Sequence, residues 1–329
     1  MRNLLTDVSG LTVGHAQDAR LASGVTAVLF DQPAVASIAV HGGAPGVRDT
    51  ALLEPEMSVQ AVDALVLAGG SAFGLDAMGG TQAFLRERGR GFAIGSARVP
   101  IVPGAILFDL GNGGAKDWGR RPPYWDLGYE AAAAAAGLDF ALGTAGAGFG
   151  ATLAGLKGGI GSASLRTPAG FVVAALVAVN AGGAATIGDT GHFWAAALER
   201  DREFGGLGGL ARTPPEALVL RLKGQGPQNT CLAVVATDAP LSKAQAKRLA
   251  IQAQDGLALA LRPAHAAMDG DVVFAASTAA ARSPPDALEL AEIGLAAGDC
   301  VARAVARGVY EATALPFPGA LPAWRDRFG

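Results

Sequence analysis

The feature that most constrains the fold is a set of short segments that are apolar at nearly every position. They occupy residues 64–67, 171–179 and 230–237, and Val, Leu and Ala dominate them. A strand with one face in solvent alternates apolar and polar residues, whereas a continuous apolar run is typical of a strand that is covered on both faces. The chain therefore has to place further layers on both sides of its sheet.

Helices that can supply those layers alternate with strands in the last third of the chain. Residues 242–245 form a capping box that opens a predicted helix to about residue 261. A strand is predicted over residues 272–277, followed by a helix over residues 285–310 with a proline in its first turn. Because many strands and few amphipathic helices precede residue 230, the sequence predicts an α/β fold with helices outside its sheets.

The other predicted elements come earlier in the chain, and glycine separates many of them. Strands are predicted at residues 25–30, 36–41, 105–110 and 217–222, and helices at residues 75–88 and 126–136. Glycine supplies 47 of the 329 residues, about twice its usual share of ~7%. This abundance predicts many turns with positive φ and many close approaches between backbones.

Charge and cysteine content exclude several classes of partner. The net charge is −3, and the longest basic cluster is the pair Arg120-Arg121, which argues against nucleic-acid or membrane-surface binding. The longest apolar run, residues 171–179, is too short to span a bilayer. Two cysteines cannot form a disulfide framework and fit a reducing compartment. With no signal-peptide core at the N-terminus, we expect a soluble cytoplasmic protein.

Two glycine-rich turns resemble known functional loops, but each departs from the pattern. Ser71 lies in the segment 69–73, where the nucleophile elbow G-x-S-x-G needs a final glycine and the chain has phenylalanine. Residues 143–150 resemble a dinucleotide-binding turn, yet the glycines fall at the wrong steps and no acidic residue lies between Asp139 and Asp189. A Ser71 nucleophile and a non-catalytic nucleotide-binding protein are the alternatives that these turns leave.

Three polar residues stand at the ends of apolar strands, and each has a structural and a functional interpretation. Thr230 begins the strand at 230–237; with Asn229 it forms an ordinary strand start, or, if the chain is cut before it, a nucleophile that carries its own α-amine as base. Lys157, among glycines, is a turn lysine or a site residue. Asn180 caps a turn or directs its amide into a site. The residues alone leave these alternatives open.

Six segments in a fixed order resemble one enzyme family. They read GLTVGH at 10–15, GGAPGVRDT at 42–50, LAGGSAFGL at 67–75, IVPGA at 101–105, NTCLAVVATD at 229–238 and DGDVVF at 269–274. They resemble the self-processing L-aminopeptidase/D-amino-acid esterase and amidase family, which includes the β-peptidyl aminopeptidases and the nylon-oligomer endo-hydrolase. The resemblance covers nearly the whole chain.

The resemblance implies a fold and an activation step. It implies one catalytic domain over residues 1–329, a four-layer αββα sandwich like that of the N-terminal-nucleophile hydrolases but connected differently. It implies that the precursor cuts itself between Asn229 and Thr230 into fragments 1–229 and 230–329. The aminopeptidase branch has a serine nucleophile and a downstream Ser-x-Glu pair, whereas this chain has Thr230 and Asp269-x-Asp271, which resembles the nylon-hydrolase branch.

The resemblance also implies roles for the site residues. In the nylon-hydrolase branch a lysine and an asparagine join the site, and the matching positions are Lys157 and Asn180. We expect Asp269, Asp271 or Lys157 to take the Oγ proton of Thr230 before cleavage, and the α-amine to act as base afterwards. We expect the aspartates to orient Thr230 and to hold Lys157, and Asn180 to donate to an oxyanion or to bind the amine.

The implied reaction is hydrolysis of small linear amides of the 6-aminohexanoate type through an acyl-enzyme, without a cofactor or a metal. The alternatives are an aminopeptidase or D-amino-acid esterase/amidase, and an acyltransferase on a related self-cleaving threonine scaffold. The family resemblance further implies a homo-oligomer, a tetramer of cleaved heterodimers. The four histidines show no ligand spacing and are predicted to be structural.

Overall fold

The computed structural model describes residues 1–224, 229–280 and 283–329. The strands in those ranges are β1 (Leu11–Asp18), β2 (Ser23–Val40), β3 (Gly46–Arg48), β4 (Val62–Ala68), β5 (Phe92–Ile94), β6 (Ala97–Val99), β7 (Gly104–Ile106), β8 (Thr152–Leu153), β9 (Leu156–Lys157), β10 (Gly159–Arg166), β11 (Val172–Asn180), β12 (Thr230–Thr237) and β13 (Val272–Ser277). The α-helices are α1 (Ala77–Glu87), α2 (Tyr124–Ala134), α3 (Lys243–Ala260), α4 (Ala287–Tyr310) and α5 (Trp324–Phe328).

Nine strands form one sheet that turns back on itself through β2. The order is β10-β11-β12-β13-β2-β4-β7-β3, with β1 also paired to β2. The first half of β2 pairs with β1 and β4, its second half pairs with β13, and the register shifts between Leu29 and Ala34. The prediction of separate strands at 25–30 and 36–41 is therefore wrong, because a continuous strand bends at this irregularity.

Three apolar cores separate the layers of the fold. The first packs α3 and α4 against β10–β13, the second fills the space between the two halves of the sheet, and the third packs α1 and α2 against β1, β2 and β4. The order of layers is helix, sheet, sheet, helix. The predicted αββα sandwich is confirmed, and it explains why the central strands are apolar at nearly every position.

Strand β12 shows how the two cores share one segment. Its odd-numbered residues Cys231 to Val235 belong to the core beneath the helices, while its even-numbered residues Leu232 to Ala236 belong to the core between the sheets. All of them are fully buried, and each buried Leu or Val side chain stabilises the fold by roughly 1.5–3 kcal/mol. Thr230 lies two residues before Leu232 and therefore on the same face of β12, the face toward the core between the sheets. It is the first residue of the strand and lies at the edge of that core.

The predicted helix after residue 242 is confirmed together with its cap. Ser242 Oγ accepts a hydrogen bond from Gln245 N at 3.3 Å, and Gln245 Oε1 accepts one from Ser242 N at 2.9 Å. The last long helix, α4, begins at Ala287, two residues after Pro285, and Asp286 is its N-cap and accepts from Glu289 N. The prediction that a proline lies in its first turn is therefore wrong. No helix in the described ranges is both long and apolar enough to cross a bilayer.

The predicted strand at residues 217–222 is wrong. Residues Pro215–Leu218 form a 3-10 helix, and Val219 and Leu220 are 66% and 67% exposed. Strand preference takes effect only where a neighbouring strand offers backbone partners and a packed face, and within the described ranges no strand pairs with this segment. The strand predicted at 105–110 is also shorter, since β7 ends at Ile106.

Candidate active site

Thr230 lies at the centre of the candidate site. It is the first residue of β12, is 4% exposed, and is the cross-strand neighbour of Asn180, the last residue of β11. Its Oγ1 donates a hydrogen bond to the carbonyl oxygen of Asn229. The backbone N–H of Gly270 donates to the same oxygen at 2.9 Å. The carbonyl that precedes Thr230 is thus flanked by the hydroxyl and by a backbone donor.

The loop before β13 is pressed against the start of β12. Asn229 and Asp269 form an isolated parallel bridge, and Asp269 O accepts Ala44 N at 2.8 Å. A Cβ atom on Gly270 would lie 2.5 Å from Thr230 Oγ1 and 2.8 Å from Ala44 O. Only glycine fits between the hydroxyl and the neighbouring backbone, so this close approach determines the residue type at position 270.

The two aspartates hold the backbone around Thr230 through different contacts. Asp271 Oδ1 accepts Cys231 N at 2.8 Å, and its Oδ2 accepts both N and Nδ1 of His265 at 2.9 Å. Asp269 Oδ2 accepts Ala266 N at 3.0 Å. Each carboxylate is 2% exposed. Asp271 therefore ties the residue after Thr230 to the loop that carries His265.

Burial and neighbouring charges shift the pKa values of Asp269 and His265. Burial and the nearby charge of Asp271 raise the pKa of Asp269 to about 6, although the hydrogen bond from Ala266 N opposes the rise. Burial would lower the pKa of His265, but the hydrogen bond and charge of Asp271 outweigh it and the pKa is raised. Asp269 can therefore exchange a proton close to neutral pH.

Lys157 is brought to the same strand ends but not to the aspartates. It is 1% exposed, and its Nζ donates to the carbonyls of Gly148, Ala151 and Gly158 at 3.0, 3.0 and 2.7 Å. Those three bonds use all three hydrogens of an ammonium group. The expectation that the aspartates hold Lys157 is therefore wrong. Burial lowers the pKa of Lys157 to about 7, and Asp109 opposes this.

Asn180 is wholly buried, and its amide is engaged at both ends. Its Oδ1 accepts Thr152 N at 3.0 Å and Lys223 Nζ at 2.9 Å, and its Nδ2 donates to Phe108 O at 3.0 Å. The amide orientation is set by these partners, because an ammonium and a backbone N–H can only donate. Asn180 thus presents its oxygen to Lys223 and its nitrogen to the segment after β7.

Sequence reasoning missed two charged residues beside this amide. Asp109 is fully buried, accepts Ser23 Oγ at 2.6 Å and Gly70 N at 2.8 Å, and has its pKa raised by burial. Burial lowers the pKa of Lys223 to about 8, while Asp109 pulls it back upward. A signal existed for Asp109, since an acid directly follows the apolar run 105–108. Lys223, in a polar turn, offered none.

In residues 1–224, 229–280 and 283–329, no three His, Cys, Asp or Glu side chains are grouped so that they could hold a metal ion.

The fold of the chain is similar to that of two solved aminopeptidases. It superposes on the β-aminopeptidase of a Burkholderia species with a TM-score of 0.70 and 22% identity, covering 98% of this chain and 90% of that one. It superposes on the L-aminopeptidase D-Ala-esterase/amidase of Ochrobactrum anthropi, described as a new variant of the Ntn hydrolase fold, with a TM-score of 0.68, 21% identity and coverage of 96% and 88%. These likenesses show the fold.

The chain belongs to peptidase family S58, whose sequence model matches residues 3–320. An uncharacterized aminopeptidase of Mycobacterium tuberculosis is 45% identical over 353 aligned positions, covering 99% of this chain and 98% of the relative. Another from Mycobacterium leprae is 42% identical over 357 positions, with coverage of 97% and 95%. The chain is therefore an enzyme of the peptidase or amidohydrolase class, and the predicted aminopeptidase/amidase family is confirmed. The nylon-oligomer branch stays a prediction.

Proposed function

We propose that the chain is an amide hydrolase that activates itself by cleaving the Asn229–Thr230 bond, after which Thr230 is the N-terminal nucleophile. The observation that carries the proposal is the environment of the Asn229 carbonyl. The Thr230 hydroxyl lies against it, and Gly270 N–H donates to its oxygen at 2.9 Å. A backbone donor aimed at a carbonyl oxygen is what stabilises the charge that develops there during attack.

The cleavage begins with attack of Thr230 Oγ on the carbonyl carbon of Asn229. The Oγ–C bond forms, the C–N bond to Thr230 breaks, and the proton that leaves Oγ is returned to the departing nitrogen. The product is an ester between Asn229 and the Thr230 side chain. The α-amine of Thr230 is free once the ester has formed, and water then hydrolyses the ester, which gives a carboxylate on Asn229 and restores the Thr230 hydroxyl.

Asp269 is our candidate for the base in this first step. Among the groups predicted for it, Lys157 has its hydrogens bonded to three carbonyls, and Asp271 has both oxygens occupied by backbone and imidazole donors. Asp269 bridges to Asn229 through the backbone, and its pKa of about 6 suits proton exchange near neutrality. This combination supports Asp269 over the other two.

After cleavage, the α-amine of Thr230 takes over as base for the attack on external amides. Its reference pKa of ~7.7–8.0 is close to working pH, and it is attached to the same residue as the nucleophile. Asn180, the cross-strand neighbour of Thr230, is our candidate for the amide that binds the oxyanion or the amine. The substrate acyl group is transferred to Oγ, the amine product leaves, and water regenerates the enzyme.

For the substrate, we propose small linear amides of the 6-aminohexanoate type, on the strength of the Thr230 and Asp269-x-Asp271 pattern. The alternative, an aminopeptidase or D-amino-acid esterase/amidase, is supported by the names of the Burkholderia and Ochrobactrum proteins. Turnover of a linear 6-aminohexanoate oligomer compared with turnover of L-aminoacyl p-nitroanilides separates the two. The tetramer of cleaved heterodimers stays a prediction.

The assignment of the nucleophile is tested with two neighbouring variants. Thr230→Ala should remain one polypeptide and should hydrolyse no test amide, because the attacking oxygen is gone. Cys231→Ala should process and turn over normally, since Cys231 is fully buried and burial raises the pKa of its thiol well above the usual range. A Thr230→Ala protein that still cleaves itself and a test amide would overturn the proposal.

A further inference from the structure

Lys223 is a cation at the end of β11 that the proposed reaction has not yet used. Its Nζ donates to Asn180 Oδ1 at 2.9 Å, and its backbone N–H donates to Gly182 O at 2.8 Å. Both ends of the residue are thus tied to residues 180–182, next to the strand position that pairs with Thr230. The side chain is half-buried, and its charge also acts on the Cys231 thiol that follows Thr230.

We propose that Lys223 is a positioning residue for the self-cleaving hydrolase, which fixes the amide of Asn180 and supplies the positive charge beside the new N-terminus of Thr230. This inference rests on the proposed function and gives Lys223 a role toward Thr230 that Lys157, held by three backbone carbonyls, does not fill. Lys157 donates only to backbone carbonyls, whereas Lys223 donates to the side chain of Asn180.

Lys223 fixes which way the Asn180 amide points. An ammonium group has three donors and no acceptor, so the end of Asn180 that faces Lys223 must be its oxygen. Thr152 N holds the same oxygen from the other side, and Phe108 O takes a hydrogen from Nδ2. Without Lys223, one of two acceptor positions on a fully buried oxygen loses its partner, and the amide loses the charged donor that favours this orientation.

Lys223 also supplies a positive charge at this strand end. The titratable groups around this strand end are Lys157, Asp109, Cys231, Asp269, Asp271 and His265. Lys157 donates all three of its hydrogens to backbone carbonyls, so its charge is already compensated where it lies. Lys223, with a pKa of about 8, is mostly protonated near neutral pH. A neighbouring cation disfavours protonation of the free α-amine and keeps it competent as a base.

The contacts of Lys223 with Asn180 and Gly182 are retained after the chain is cut. Lys223 precedes the cleavage point by six residues. Its partners Asn180 and Gly182 belong to the same upstream fragment, 1–229, so cleavage separates none of the three from the others. Lys223 therefore acts on Thr230 in the processed enzyme and not only in the precursor.

The test replaces Lys223 by Met, by Gln and by Arg. Met removes the charge and the hydrogen bond, Gln removes the charge but keeps a donor, and Arg keeps both. Lys116→Met is the matched control, because Lys116 also faces Asp109 but bonds to the carbonyls of Leu21 and Ala22 instead of to Asn180. Mass spectrometry for a fragment that starts at Thr230 and circular dichroism establish processing and folding. The readout is kcat/KM from pH 5 to 10 for a linear 6-aminohexanoate oligomer, or for an L-aminoacyl p-nitroanilide if the wild-type enzyme turns over only that substrate.

We expect the acidic limb of the pH profile to move up by about one pH unit in Lys223→Met and Lys223→Gln, and to stay in place in Lys223→Arg and Lys116→Met. A merely structural role would lower kcat without moving the limb. Neutral variants that share the wild-type limb, or an Arg variant that shifts as far as Met, would overturn the inference.

Processing failure also decides the question. If both neutral variants stay uncut while Lys223→Arg is processed, the charge requirement is supported; if Arg stays uncut as well, the inference is wrong. A wild-type chain that is never cut at Asn229–Thr230 would instead remove the proposed function itself, whatever the variants do.

Discussion

Gly270→Ala is the most direct perturbation of the proposed cleavage geometry. A Cβ at this position would lie 2.5 Å from Thr230 Oγ1 and 3.3 Å from its Cγ2, with Ala44 O at 2.8 Å on another side. Ordinary contact distances begin at 3.4 Å, so the hydroxyl must move by about 1 Å. The backbone cannot absorb this, because residues 269–271 are bonded on both sides to Ala44 and to residues 229–231.

Rotation of the threonine side chain relieves the clash only by moving the nucleophile. Thr230 is β-branched and buried in the first position of β12, so its χ1 rotamers are few. Either other rotamer carries Oγ1 away from its present position against the Asn229 carbonyl. A displacement of about 1 Å between reacting atoms costs on the order of 10²-fold in rate. We therefore expect self-cleavage of Gly270→Ala to slow by about 100-fold or more.

The assay follows the uncut chain and the 100-residue fragment on a denaturing gel as a function of time after purification at low temperature. Gly209→Ala is the matched control, because a Cβ there meets nothing within 4 Å, and it should cut at the wild-type rate. Thermal unfolding of both variants distinguishes slow chemistry from misfolding. A folded Gly270→Ala chain that cuts at the wild-type rate would refute the assigned geometry.

Three further predictions follow from the site and its surroundings. Asn180→Asp keeps the acceptor for Lys223 but removes the donor end, so kcat of the processed enzyme should fall by about 10²–10³-fold, and a fall of less than threefold would exclude Asn180 as an oxyanion donor. The folded protein holds the proton of Asp269 up to a pKa of about 6, above the unfolded value, so this group costs stability as the pH rises from about 4 to about 6. In the uncut Thr230→Ala background, the free energy of unfolding of the Asp269→Asn variant relative to its parent should rise over that interval in urea titrations, and a flat difference would contradict the raised pKa. Ser242→Ala should lower the free energy of unfolding by about 1 kcal/mol, since it removes the acceptor for Gln245 N at the start of α3, and an unchanged urea midpoint would contradict this.

The sequence predicted the buried strands and the capped helices because each carries a local signature. Continuous apolar runs mark β11 and β12, which are covered on both faces, and the Ser242 box marks α3. The bend in β2 was not predictable in this way, since it depends on which neighbours each half of the strand pairs with. The strand prediction for residues 217–222 was wrong because, in the described ranges, no strand pairs with this apolar segment.

At the site, resemblance identified residues whose contacts only the structure could supply. Thr230 pairs with Asn180, and Asp269 bridges to Asn229. The groups around Lys157 Nζ are backbone carbonyls, which have no sequence signature. Lys223 was missed for a related reason, since its partner Asn180 is 43 residues away in the chain. Long-range pairing and backbone contacts are decided by the fold, and composition and spacing do not report them.

The central claim is that Thr230 becomes a chain end, and intact mass spectrometry of the purified protein tests it most directly. The account predicts two polypeptides, residues 1–229 and 230–329, with the smaller one beginning at an unmodified Thr230, and a single uncut chain for Thr230→Ala. A preparation that hydrolyses amides at full rate while all of its mass corresponds to the uncut 329-residue chain would contradict the account.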